Sequence, residues 1–286
     1  MRYTTYICLL LLLCSARVAM SFSGATDEDP QPSGHELFTH ALQRHVESGR
    51  VDYEGMAEDR EFKNYLKWLQ KMDPASLTST DAELAFWTNA YNALAIKGVL
   101  DNSERHLLSR RTTMQKGKEL AAEVQRKRHG EQPPAYRLIN SVLEVDGFFD
   151  KQEHGVAGKK YTLDQIEKEI LLPKFKDPRL HFILVCAALS CPGLPSEAYT
   201  EATMQAKIVA VARLFLRNPE KNRLDRENKI LYLSQIFNWY RDDFESGGHT
   251  LVEFVQPYLD PAARRFLAEN EVKIEFVEYD WRLNRQ

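Results

Sequence analysis

The chain has 286 residues, 43% of them hydrophobic and 28% charged, with a formal net charge of −3. These are globular proportions with enough apolar chain for a sizeable core. The near-neutral balance excludes a polyelectrolyte and argues against nucleic acid as a partner.

Residues 1–23 read as a secretory signal peptide. Arg2 gives the positive start, Ile7–Leu13 the short apolar run, and Ala19-Met20-Ser21 a small-x-small cleavage site. The run falls well short of the roughly 20 residues that span a bilayer. No other stretch is apolar enough to do so, and no stable membrane span is expected once the signal is removed. An exported protein is therefore expected, periplasmic or extracellular. Cleavage removes Cys8 and Cys14 and leaves Cys186 and Cys191 as the mature chain's cysteines. Residues 24–34 are a polar, flexible lead-in, and 35–286 read as a single α+β domain.

The first helix is expected from His35 to Glu47, with Phe38, Leu42 and Val46 inward. Residues 49–55 read as extended. Residues 57–72 read as a second helix with Phe62, Tyr65, Leu66, Leu69 and Met72 on one stripe. Thr80-Asp81-Ala82-Glu83 reads as a capping box opening a third helix. That helix is apolar nearly all round, so it is expected to be buried. Its middle nevertheless carries Thr88, Asn89 and Asn92 about one turn apart. Buried amides need partners. They either tie the helix to neighbouring loops or, with Trp87, border a cleft. Residues 103–137 are basic and poor in apolar side chains, and read as a solvated insertion.

Ile139–Phe149 reads as strand. Thr162 and Gln165 form a second capping box, with Ile166, Ile170 and Leu171 inward and Pro173 as the stop. Residues 201–217 are a helix and 224–233 a hairpin turning at Glu227-Asn228. Residues 235–244 are a short aromatic helix. Asp260-Pro261 opens a last helix, and Val272–Tyr279 is a strand. The order argues for α+β: a helical N-terminal half packed on a small, largely antiparallel sheet.

The stretch LHFILVCAALSCPGLP, Leu180–Pro195, organises the rest. It reads as a buried strand through Cys186, then a turn through Ala187–Ser190 into Cys191-Pro192-Gly193. Both mature cysteines lie here, with His181 at the start.

FWTNAYNALAI (Phe86–Ile96), YTLDQIEKEIL (Tyr161–Leu171), DPRLHFILVCAALSCPGL (Asp177–Leu194), FNWYRDDF (Phe237–Phe244) and YDWRLN (Tyr279–Asn284) occur in the order of a known family. The chain resembles the bacterial branch of domain of unknown function 547, over roughly residues 35–284. The family carries no settled activity. Some eukaryotic relatives join the domain to a glutaredoxin module, which implies thiol chemistry.

A thiol nucleophile needs a base or cation to lower its pKa, and an orienting group behind that base. Cys191, in the turn, is expected to be the accessible nucleophile. His181 is its base, and Asn92, Asn89 or Asp280 orients the ring. Thr88, Ser190, Cys186 and Trp87 are expected around the pocket. The pair meets only if Ala187–Ser190 folds back, because a straight strand puts position 186 roughly 16 Å from His181. Any likeness to papain-like or transglutaminase-like enzymes is architectural, since their cysteine precedes the histidine and sits on a helix. The leading reading is a thiol-dependent hydrolase or transferase acting on a small molecule or peptide. The rival is a non-catalytic binding module with a structural Cys186–Cys191 disulfide. There the aromatics Trp87, Tyr91, Phe237, Trp239, Tyr240 and Trp281 either line a groove or fill the core. No cofactor is expected. No metal is expected either, because His35, His40 and His45 are five apart rather than four.

Overall fold

The computed structural model describes residues 34–103 and 138–286. The leader, the lead-in up to Ser33 and the basic stretch beyond Ser103 lie outside the described residues. Helix α1, Gly34–His45, buries Phe38, Ala41 and Leu42. Strands β1 (Val46–Glu47) and β2 (Arg50–Val51) pair antiparallel around Ser48-Gly49. Gly49 has φ +79°, and a Cβ there would lie 2.6 Å from the Gly193 Cα. Glycine alone lets this hairpin lie against the turn that follows Cys191.

The helix expected over 57–72 is two helices, α2 (Tyr53–Glu58) and α3 (Arg60–Lys71). Asp59 separates them because its backbone is extended, and its carboxylate caps α3 by accepting from the Phe62 N–H at 2.8 Å. Helix α4, Thr80–Asp101, is buried at every residue from Leu84 to Ile96. Its cap is Ser79, which accepts from the Ala82 N–H at 3.1 Å, and Thr80 is the first helical residue. The expected capping box is thus corrected by one position.

The strand expected at Ile139–Phe149 does not form. Ser141 caps a 3₁₀ turn, Val142–Glu144, by accepting from the Leu143 N–H, and only a single antiparallel bridge forms here, Ser141 with Arg282, where the Asn140 carbonyl accepts from the Leu283 N–H at 2.7 Å. A short hairpin follows, β3 (His154–Val156) with β4 (Lys159–Tyr161). The Thr162–Gln165 box is present, with both reciprocal bonds at 3.0–3.1 Å. The helix it opens is π-helical over Gln165–Leu171 and continues as α5, Leu172–Phe175. Pro173 therefore does not stop it. It lies just past the π-helical segment, and the helix runs only two residues further, to Phe175.

The largest correction concerns Leu180–Cys186, which is not a strand. Pro178–Phe182 forms a 3₁₀ turn capped by Asp177, and Ile183–Cys186 is irregular. Leu180, Phe182 and Ile183 are fully buried all the same. The apolar run signalled burial, and burial alone does not choose strand over turn.

Helix α6, Met204–Leu216, packs on this turn. Strands β5 (Arg223–Asp225) and β6 (Ile230–Ser234) form the expected hairpin. Short helices α7 (Ile236–Trp239), α8 (Arg241–Glu245) and α9 (Leu251–Val255) follow, then α10 (Pro261–Glu269) and strand β7 (Lys273–Val277). The three-stranded sheet has the order β5-β6-β7, with β6 and β7 parallel, whereas the other strand pairs are antiparallel. The fold class is α+β, with one hydrophobic core running through the described residues. Among them no helix is long and apolar enough to cross a membrane.

Candidate functional site

Two carboxamides of α4 shape the irregular stretch. Asn92 donates to the Ile183 carbonyl and accepts from the Val185 N–H, both at 2.9 Å. It pairs with the backbone as a neighbouring strand would. Asn89 does the same to Tyr199, at 2.7 and 2.9 Å, and its Nδ2 also donates to His35 Nδ1 at 3.0 Å. Both amides are thus spent on holding loops. They serve the structural reading of the polar stripe, not the orientation of His181. Thr88 is fully buried, and Trp87 packs edge-on against Phe86 and Tyr161 in the core.

The chain then makes an elbow. Ala187 has φ +64°, a left-handed conformation rare for a residue with a Cβ. The C-terminal segment fixes this elbow from the other side. Leu189 N–H donates to the Arg282 carbonyl, Ser190 N–H to Asp280, and Asn284 N–H to Ala187, at 2.8–3.1 Å. Ser190 Oγ accepts from the Asp280 N–H at 2.8 Å, while the Asp280 carboxylate pairs with Arg282. Ser190 and Asp280 therefore lock two segments together and do not line the cleft.

The elbow brings both sulfurs to one place, but with the expected roles exchanged. Cys191 is only 3% exposed, and its Sγ accepts from the Cys186 N–H at 2.9 Å. Cys186 is half-buried, and its Sγ lies 3.3 Å from the Tyr279 hydroxyl. A hydrogen bond from Cys191 draws the Cys186 thiol below its usual range. Burial opposes that, and the Tyr279 hydroxyl and Ala188 N–H reinforce it. Burial pushes the Cys191 thiol well up. The two thiols are free, so the disulfide of the rival reading is not formed.

His181 reaches the same cleft, but its ring faces acids rather than sulfur. Nε2 is 2.8 Å from Asp243 Oδ2, Nδ1 is 4.0 Å from Glu167 Oε1, and Tyr240 stacks on the ring at 3.8 Å. Burial lowers its pKa, against Asp243. Glu167 comes from the π-helical segment, and such segments recur at functional sites. It is 6% exposed, and burial raises its pKa although Tyr240 and Tyr91 hydroxyls donate to it.

Apart from Asp243, which holds His181 from outside, these groups line a cleft of about 450 Å³, together with Leu184, Trp239 and Trp281. That size suits a small-molecule site. Of the residues expected at a site, the structure brings His181, Cys186 and Cys191 to this cleft, whereas Asn92, Asn89, Thr88, Ser190, Trp87 and Asp280 are not among its lining residues. The aromatics divide likewise. Tyr91, Trp239, Tyr240 and Trp281 line the cleft, and Phe237 is core. Glu167, Asp243 and Tyr279 escaped the sequence reading. The YTLDQIEKEIL, FNWYRDDF and YDWRLN segments that contain them were the available signal.

Fold and cleft together define an α+β protein with two thiols, a histidine and a buried carboxyl around one hollow. The chain belongs to the family described as "Protein of unknown function, DUF547", whose model matches residues 74–216. The match holds Cys186, Cys191, His181, Glu167, Tyr91 and both α4 amides, and ends before Tyr240, Asp243 and Tyr279. No curated protein and no solved structure matches the chain.

Proposed function

We propose that the cleft is the active site of a thiol-dependent enzyme, a hydrolase or transferase, with Cys186 as nucleophile in place of Cys191. One observation carries this reading. The Cys186 sulfur stands at a strained elbow, facing the cleft, with three hydrogen-bond donors gathered on it. The thiolate attacks an acyl carbonyl and forms a thioester, expelling an amine, alcohol or thiol that takes up a proton. Water or a second nucleophile then attacks the thioester and returns Cys186 to the thiolate. Glu167 suits the proton-donating role because burial keeps its carboxyl protonated to higher pH than usual. His181, held by Asp243 through Nε2, sets its Nδ1 4.0 Å from Glu167 Oε1 and is placed to orient that carboxyl from the back of the cleft. The substrate is a small molecule or peptide. The N-terminal leader supports export to the periplasm or exterior.

Alkylation with iodoacetamide, mapped by peptide mass spectrometry across a pH series, tests the nucleophile. Cys186 is expected to react with an apparent pKa below the roughly 8.5 of a free thiol. Cys191 is expected to lag at least tenfold. Cys186→Ser abolishes the fast phase. If Cys191 reacts first, or Cys186 only above pH 8.5, the proposal is wrong and an inert binding cleft is the better reading.

A further inference from the structure

The walls of the cleft are not neutral toward charge. Asp150, Asp164 and Glu167 line it, with Glu167 biased by burial toward its neutral form, and Lys168 is the one lysine or arginine among its lining residues. Lys168 and Asp164 are paired at 2.6 Å and offset each other, which leaves Asp150 as the carboxylate open to a cation. Asp150 is exposed and makes no ion pair with a described residue. The same cleft is lined by three rings in mutual contact. Trp239, Tyr279 and Trp281 have centroids 4.7–5.6 Å apart. Trp239 is 47% exposed, one of few large apolar side chains in the described residues left open to solvent. Rings and a carboxylate without an ion pair in one cleft attract a cation twice over, through the ring faces and through the field of Asp150. An apolar body beside that cation would cover the rings.

We infer that the cleft selects a substrate carrying an ammonium or guanidinium group next to an apolar body, placed against the Trp239, Tyr279 and Trp281 rings and the carboxylate of Asp150. This inference rests on Cys186 being the reactive thiol of the same cleft. A basic amino-acid amide or ester, or a peptide with such a residue beside the reacting carbonyl, fits the description. A carboxylate or phosphate ester does not.

The test uses the full chain and two methanethiosulfonates of similar size, one bearing trimethylammonium and one bearing sulfonate. The Cys186 thiolate attacks the thio sulfur of either reagent. A mixed disulfide forms and methanesulfinate leaves, so the two differ in the charge they bring and not in the chemistry. Rates at Cys186 are divided by those of the same reagents with 2-mercaptoethanol. The cationic reagent is expected to be favoured at least tenfold after that correction. The variant Asp150→Asn is expected to lose most of the preference, and so is the wild type at high salt. In a second readout, benzylammonium slows iodoacetamide labelling of Cys186 and benzoate does not. Fast labelling by both reagents with no charge preference, or protection by benzoate, overturns the cation inference and leaves the thiol reading standing. Cys186 unreactive toward every reagent overturns both.

Discussion

A thiolate survives at Cys186 only while donors surround it. Tyr279 supplies one of them from a segment 93 positions away in the chain. A hydrogen bond to a charged group contributes about 1.5–3 kcal/mol. Tyr279→Phe keeps the ring in its aromatic triad and removes the hydroxyl. The Cys186 pKa is then expected to rise and its alkylation at pH 7 to slow about tenfold. The rate at a pH well above that of a free thiol should be unchanged. A rate that fell equally at all pH values would mean that the hydroxyl shapes access rather than charge. Glu167 behaves in the opposite sense, since burial favours its neutral form. One small cleft thus holds a group biased toward losing its proton beside one biased toward keeping it, the separation on which acid–base work depends.

Among the elements, α4 does the most for the site without lining it by its amides. Its burial follows from an apolar surface on all sides, and its two asparagines satisfy backbone groups that the irregular 183–185 and 199 regions cannot pair internally. Asn92→Ala leaves the Ile183 carbonyl and Val185 N–H buried without partners. It should cost about 2–4 kcal/mol in urea unfolding, several times the effect of an exposed substitution. Because Val185 adjoins Cys186, folded Asn92→Ala protein should also lose the fast phase of alkylation. Unchanged stability and unchanged labelling would remove the amide from the account. The π-helical segment makes a comparable contribution. Its wider turn carries Glu167 on the same face as Ile166 and Leu171, so a carboxyl is buried together with apolar neighbours.

At the scale of the whole molecule, His154 and His35 are the described histidines with the largest tie between stability and pH, and His181 acts in the same direction. Burial lowers His154 and His35 from 6.5 to about 4, with Lys97 adding to the effect on His154. His35 Nδ1 accepts from Asn89, so a proton there would set two donors face to face. In each case the unfolded chain takes up a proton at about 6.5 and the folded one only near 4. Stability is therefore full above pH 6.5, falls as pH drops from 6.5 to 4, and levels below. Each histidine accounts for a loss on the order of 3 kcal/mol over that interval. Denaturant midpoints at pH 7.5 and 4.5 check this. His154→Gln should show a shallower decline, and a decline as steep as that of the wild type would place the titration elsewhere.

Read residue by residue, the sequence determined this protein's class and its address for chemistry. Composition set a globular core, periodicity placed α1, α4, α6, α10 and the β5–β6 hairpin, and the quoted motifs placed the family. The run around Cys186 and Cys191 marked where the thiols lie, because local patterns report burial and turn chemistry directly. Tertiary structure alone decided which sulfur faces the cleft and which groups attend it. Whether an apolar run becomes a strand or a capped turn depends on what α4 and the C-terminal segment offer its backbone. Tyr279 lies 93 positions from Cys186, and Glu167 and Asp243 lie 14 and 62 positions from His181. Contacts between residues so far apart in the chain leave no periodic trace in it. They exist only once the core has brought the segments together.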